Sequence, residues 1–174
     1  MAKGLREKLV GAWDLVEYCG YLPNDESNKK YPMGPEAQGI IMYTPDGYMS
    51  AQLLTPGQKR FDHPEVKEYP RSGSTEDWAQ VGKNYVGYTG QFYLDEAGDE
   101  SGPVLMHHMR TSSLPSLLGD TQRRLVKIED RADGRYLVLS LGSPVEVFGE
   151  PRMVRVTWKR MNDNQATSPP NASK

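Results

Sequence analysis

Along most of the chain apolar residues recur at every second position, in short runs broken by glycine and proline. That period belongs to strands rather than helices. The clearest case spans residues 39–54, where Ile40-Ile41-Met42-Tyr43 and Tyr48-Met49-Ser50-Ala51-Gln52-Leu53 flank Pro45-Asp46-Gly47. Proline pre-sets φ at the first turn position, and glycine supplies the positive φ that a chain reversal needs. The stretch predicts a β-hairpin with Tyr48, Ser50 and Gln52 facing inward and Met49, Ala51 and Leu53 facing out. An isolated hairpin does not survive in water, so other strands must complete its sheet.

The remaining runs supply them. In residues 11–21 the period of two places Trp13, Leu15, Glu17, Cys19 and Tyr21 on one face, with Asp14, Val16 and Tyr18 on the other. Residues 88–94, 104–111, 121–129, 136–141 and 153–159 read as further strands, and Asp133-Gly134 marks another hairpin. Leu5 to Val10 suits a short amphipathic turn. One helix is predicted over residues 75–84, capped by Ser74, with Glu76 and Asp77 in its first turn and Trp78, Val81 and Tyr85 at helical spacing. Residues 22–38 and 55–73 are turn-rich loops. Residues 1–161 then form one domain, and 162–174 a polar, disordered tail.

About eight strands joined mostly by short turns, with one short α-helix after the third strand, predict an all-β fold. A closed antiparallel barrel of small-ligand size meets this description. A two-sheet sandwich has the same strand count.

Composition narrows the picture. The 174 residues carry 21 Lys+Arg against 23 Asp+Glu, a formal charge of -2 that gives no electrostatic case for nucleic acid. Cys19 is the only cysteine, so no internal disulfide is available. No apolar leader and no run of membrane-spanning length is present, which predicts a cytoplasmic protein without membrane contact.

These pieces resemble a known family. Leu9-Val10-Gly11-Ala12-Trp13-Asp14-Leu15-Val16 is similar to the G-x-W opening of lipocalins. The hairpin 41–51, Tyr88-Thr89-Gly90-Gln91-Phe92-Tyr93, His107-His108, residues 119–124 and Val156-Thr157-Trp158-Lys159-Arg160 follow in the order found in small bacterial and fungal lipocalin-like proteins. The resemblance implies a lipocalin-like closed barrel around a small, largely apolar or aromatic metabolite. It also implies an arginine from a late strand packed on Trp13, for which Arg123, Arg124 and Arg155 are eligible.

His107 and His108 point to opposite faces of one strand, so they cannot share a metal, and His63 would have to be recruited from a loop. An inward histidine suits acid–base work near neutral pH, or a cavity hydrogen bond. Glu17 is the candidate carboxylate, with Arg110, Arg123 or Arg124 to neutralise it. His107, His108 and Glu17 form the candidate catalytic set. Tyr43, Tyr48, Ser50, Gln52, Tyr88, Gln91, Arg110, Arg124 and Trp158 form the candidate ligand-binding set, with aromatic faces and polar tips suited to a flat, oxygenated molecule. No Walker, dinucleotide or nucleophile-elbow motif occurs, and no cofactor or metal is expected. Two readings remain. One is a cofactor-independent isomerase or cyclase of secondary metabolism, which is preferred; the other is a non-catalytic intracellular carrier. A homodimer stays open.

Overall fold

The strand that starts at Gly11 pairs with two neighbours at once, and this closes the sheet. In the computed structural model, which describes residues 4–59, 61 and 73–169, β1 (Gly11–Leu22) pairs antiparallel with both β3 (Gln38–Tyr43) and the last strand, β10 (Glu150–Arg160). The intervening strands are β4 (Tyr48–Leu54), β5 (Tyr85–Asp99), β6 (Gly102–Ser112), β7 (Thr121–Arg131) and β8 (Gly134–Ser140). They run in sequence order to complete a closed eight-stranded antiparallel barrel. Closure leaves the wall without an unpaired edge. Two short strands lie outside the ring: β2 (Asp25–Lys30) on β1, and β9 (Val145–Val147) on β10.

The helix α2 (Thr75–Asn84) has the predicted span, and Ser74 and Asp77 form a reciprocal capping box. It follows the fourth strand rather than the third. Residues 25–30 are all polar, so no hydrophobic period marked them, yet they pair with β1 as β2. A five-residue helix, α1 (Leu5–Leu9), precedes the barrel. His63 and most of the 55–73 loop lie outside the described residues, as do 170–174 of the predicted tail.

One end of the barrel is sealed by α1. Leu9 and Trp13 are fully buried, and the Trp13 indole donates to the Leu9 carbonyl at 2.8 Å. The arginine over Trp13 is Arg160, its guanidinium carbon 5.0 Å from the ring centroid. Arg123, Arg124 and Arg155 do not take this place, because Arg160 lies directly opposite Trp13 in the β1–β10 register. Arg6 covers Phe92 at 4.7 Å, and Glu96 accepts from the backbone N–H groups of Leu5 and Arg6. The wall above this floor packs Ile41, Tyr43, Met49, Ala51, Leu53, Phe92, Leu105, Val126, Leu137, Leu139 and Trp158 inward.

The hairpin therefore has the opposite parity to that expected. Met49, Ala51 and Leu53 are buried, whereas Tyr48 is 45% exposed. Burying a Met or Leu side chain stabilises by about 1.5–3 kcal/mol, while a polar group without a partner costs energy inside. Ser50 and Gln52 instead bond sideways on the outer surface: Ser50 Oγ to Thr89 Oγ1 at 2.9 Å, and Gln52 Nε2 to Ser50 Oγ at 3.1 Å. The first strand also departs from simple alternation. A bulge between Leu15 and Glu17 leaves Val16 exposed and shifts the face of everything beyond it. Trp13 and Leu15 face in, Tyr18 continues that side, and Glu17 turns outward.

Candidate functional site

Alternation sorts the candidate residues into two sets. Phe92, His107 and Gln122 lie in register across β5, β6 and β7, and Leu105 lies opposite Arg124. Phe92 and Leu105 belong to the core, so His107, Gln122 and Arg124 share its inner face. Tyr18 and Tyr88 pack against the same core from β1 and β5. The barrel thus gathers Tyr18, Tyr43, Tyr88, His107, Gln122, Arg124 and Trp158 on its inner side.

Their contacts form one cluster. Tyr43 Oη lies 3.0 Å from His107 Nε2. The His107 ring is 5.7 Å from that of Tyr43 and 6.3 Å from that of Tyr88, and Phe92 meets Tyr43 edge-on at 5.2 Å. Arg124 donates to Gln122 Oε1 and to the Arg123 carbonyl, each at 2.8 Å. Its positive charge acts on Tyr18, Tyr43, Tyr88 and His107 alike.

Burial pushes the His107 imidazole down to about 3, with the Arg124 charge adding to the effect. It is therefore neutral near pH 7. Burial also raises the phenols of Tyr18, Tyr43 and Tyr88, and for Tyr18 and Tyr88 it outweighs the opposing pull of Arg124. Tyr18, Tyr88, Gln122 and Arg124 nevertheless keep part of their surface accessible although they face inward. Two donors or acceptors in the barrel have no protein partner among the described residues: His107 Nδ1 and Trp158 Nε1. Such buried groups are uncommon, and a ligand or water is the usual explanation.

The other candidates stand on the outer wall. His108 faces out and bonds Thr121 Oγ1 at 3.0 Å. Arg110 is exposed beside the bulge that offsets β6 from β5. Tyr48 and Gln91 pair across β4 and β5 on the outside, where the Gln91 Oε1 is buried without a partner among the described residues. Gln52, hydrogen-bonded to Tyr85, borders a shallow outer hollow of about 280 Å³ with Thr89, Thr111 and Ser113. Glu17 lies 2.6 Å from Lys29 Nζ and accepts from Cys19 Sγ at 3.3 Å. Burial works to raise its pKa, but hydrogen bonds from Lys29 and Cys19 and the charges of Lys29 and Arg155 hold it below the ordinary value. It opens onto an outer groove with Glu129, Arg131, Val138, Arg155 and Thr157. The candidate catalytic trio is thus split by the barrel wall, with only His107 inside.

Gln122 and Tyr18 face the interior but are not among the residues that the sequence pattern selects. Gln122 carries the signal of standing two residues before Arg124, whereas Tyr18 is brought inside by a bulge that periodicity does not reveal. No described helix is long and apolar enough to cross a membrane.

Comparison with known proteins agrees with this architecture. A curated relative, the 4'-hydroxy-3'-methoxypropiophenone carrier protein of Aspergillus oryzae, is 30% identical over 115 residues, covering 65% of this chain and 96% of its own. A relative named as a carrier and a lipocalin-like barrel together support small-molecule binding. The family model for the lipocalin-like domain matches residues 10–161, and the chain belongs to that family.

Proposed function

We propose that this protein binds a small, oxygenated aromatic molecule inside the barrel and carries it without chemical turnover. The observation that bears most weight is the convergence of aromatic faces and unpartnered polar atoms on one inner surface. Tyr43, Tyr88, Phe92 and Trp158 offer rings, while His107 Nδ1 and Trp158 Nε1 have polar capacity to spare. A flat ligand with a few oxygens matches both features. The aryl ketone named for the Aspergillus relative is a molecule of this class.

Two observations favour carriage over catalysis. His107 is held neutral to about pH 3, far below the range in which a general base is effective near neutrality. Glu17, the candidate carboxylate, is on the opposite side of the wall. The isomerase or cyclase reading would rest on the Tyr43–His107 pair alone, moving a proton along its 3.0 Å hydrogen bond.

The test is a titration of purified protein with hydroxylated and methoxylated aryl ketones, followed by tryptophan fluorescence and by chromatography of the recovered compound. Carriage predicts saturable quenching and unchanged ligand. Conversion that Tyr43→Phe abolishes would replace it with the catalytic reading. Absence of binding across the series would sink both.

A further inference from the structure

The cluster holds a cation without a counter-charge. Arg124 stands on the inner face opposite the fully buried Leu105, and among the described residues its only hydrogen-bond acceptors are the Gln122 amide oxygen and the Arg123 carbonyl. Among the described residues it makes no ion pair, although Arg123, Arg131, Arg135, Arg152 and Arg155 all do. Its ionisable neighbours inside the barrel are Tyr18, Tyr43, Tyr88 and His107, none negatively charged at neutral pH. A cation drawn partly out of water without an anion is unfavourable, and a guanidinium does not give up its proton to escape.

We infer that Arg124 is the anchor for an anionic oxygen of the ligand, and that the protein binds an acidic phenol as its phenolate. This rests on the small-molecule reading above and specifies the ligand's charge. The choice of phenolate over carboxylate comes from the surroundings. The rings of Tyr43 and Tyr88 lie beside His107 and Phe92 meets Tyr43 edge-on, so a flat aromatic anion matches the aromatic side of the cluster while its oxygen meets the guanidinium. A charge spread over a conjugated ring also costs less to remove from water than one confined to a carboxylate. His107 supplies a second donor. When the Tyr43 hydroxyl donates to Nε2, Nδ1 carries the proton, and in that tautomer it has no acceptor among the described residues. On binding, the O–H bond of the phenol breaks, its proton passes to solvent, and the electron pair stays on the oxygen beside Arg124.

The probe is 4-hydroxyacetophenone, whose phenolate absorbs at longer wavelength than its phenol. Its methyl ether, which cannot ionise, and 4-hydroxybenzoate serve as comparisons. Binding to the wild-type protein should produce the phenolate band at a pH where the free probe is still protonated. Affinity should exceed that of the ether and of the benzoate. Arg124→Gln should abolish the band and weaken binding by about 10- to 100-fold, the range for a lost hydrogen bond to a charged group. Arg124→Lys, which keeps the charge, should retain the band and guards against a folding defect in the first variant. Binding of the probe in its phenol form, equal affinity for the ether, tighter binding of the benzoate, or a phenolate band that survives Arg124→Gln would overturn the inference while leaving small-molecule binding intact. If neither probe nor ether binds, the broader reading falls with it.

Discussion

Tyr43 and His107 join β3 to β6 across the inside of the barrel, with the phenol oxygen 3.0 Å from Nε2 and both residues buried. Burial raises the tyrosine pKa well above its ordinary value and pushes the histidine to about 3. Neither group ionises near neutrality, so the contact is a neutral hydrogen bond in a nonpolar setting. The His107 Nδ1 has no hydrogen-bond partner among the described residues.

The pair should be costly to break from one side. Tyr43→Phe removes the partner of Nε2 and leaves a buried imidazole with no hydrogen-bond partner among the described residues at either nitrogen. The expected loss is about 1–3 kcal/mol, the penalty for an unsatisfied buried polar group. Adding His107→Leu should recover part of it, because both polar partners are then gone. Urea denaturation of the two variants measures this directly. A single substitution as stable as the wild type would mean that water replaces the phenol.

Stability should also depend on pH through His107. Its folded pKa, about 3, lies below the ordinary 6.5, so between these values the unfolded chain binds a proton that the folded chain refuses. Stability rises with pH where the unfolded state holds more protons. The contribution of His107 is therefore complete above pH 6.5 and is lost progressively as pH falls towards 3. One proton corresponds to a slope of at most about 1.4 kcal/mol per pH unit. Comparing wild type with His107→Leu isolates this contribution from that of the carboxylates, and NMR titration should find the His107 ring unchanged at pH 5. A His107 resonance that titrates near 6.5 would contradict the burial argument.

How far the sequence reveals this arrangement can be judged from particular strands. The turn at Pro45-Asp46-Gly47, the helix 75–84 with its Ser74 cap, and Trp13 at the barrel floor are set by local chemistry and were legible in it. The opposite facings of His107 and His108 follow from alternation, but which one faces in depends on Phe92 and Gln122 across the sheet. Alternation fails at Glu17 because the bulge at Val16 adds a residue that no hydrophobic pattern records. The hairpin parity failed for a different reason. Ser50 and Gln52 can satisfy each other and Thr89 on the outer face, so their polarity did not mark a cavity.

The closed end should be intolerant of small changes. Gly11 has φ +128°, and a Cβ there would sit 2.3 Å from an Arg160 guanidinium nitrogen. Gly11→Ala therefore strains the backbone and displaces the arginine from Trp13. Arg160→Ala tests the second effect alone and should cost about 0.5–2 kcal/mol through lost stacking and packing. Thermal denaturation should rank Gly11→Ala below Arg160→Ala, and both below wild type. Equal midpoints for the two variants would show that the backbone strain is relieved elsewhere.

Ala51 offers a test of which hairpin face meets the ligand. It is fully buried, opposite Ile41 on β3 and Tyr88 on β5, so a larger side chain there grows into the inner surface beside the aromatic cluster. Ala51→Leu should lower stability by about 1–3 kcal/mol through overpacking and weaken binding of an aryl ketone by about tenfold or more. Tyr48 lies three residues earlier on the opposite face and is 45% exposed. Tyr48→Ser should leave affinity within about twofold, since its ring is outside the wall. Fluorescence titration of both variants with one ligand reads the two faces against each other. If Tyr48→Ser instead lost affinity while Ala51→Leu kept it, the binding surface would be the outer face of the hairpin rather than the barrel interior. In that case the role assigned to Tyr43, His107 and Arg124 would have to be abandoned.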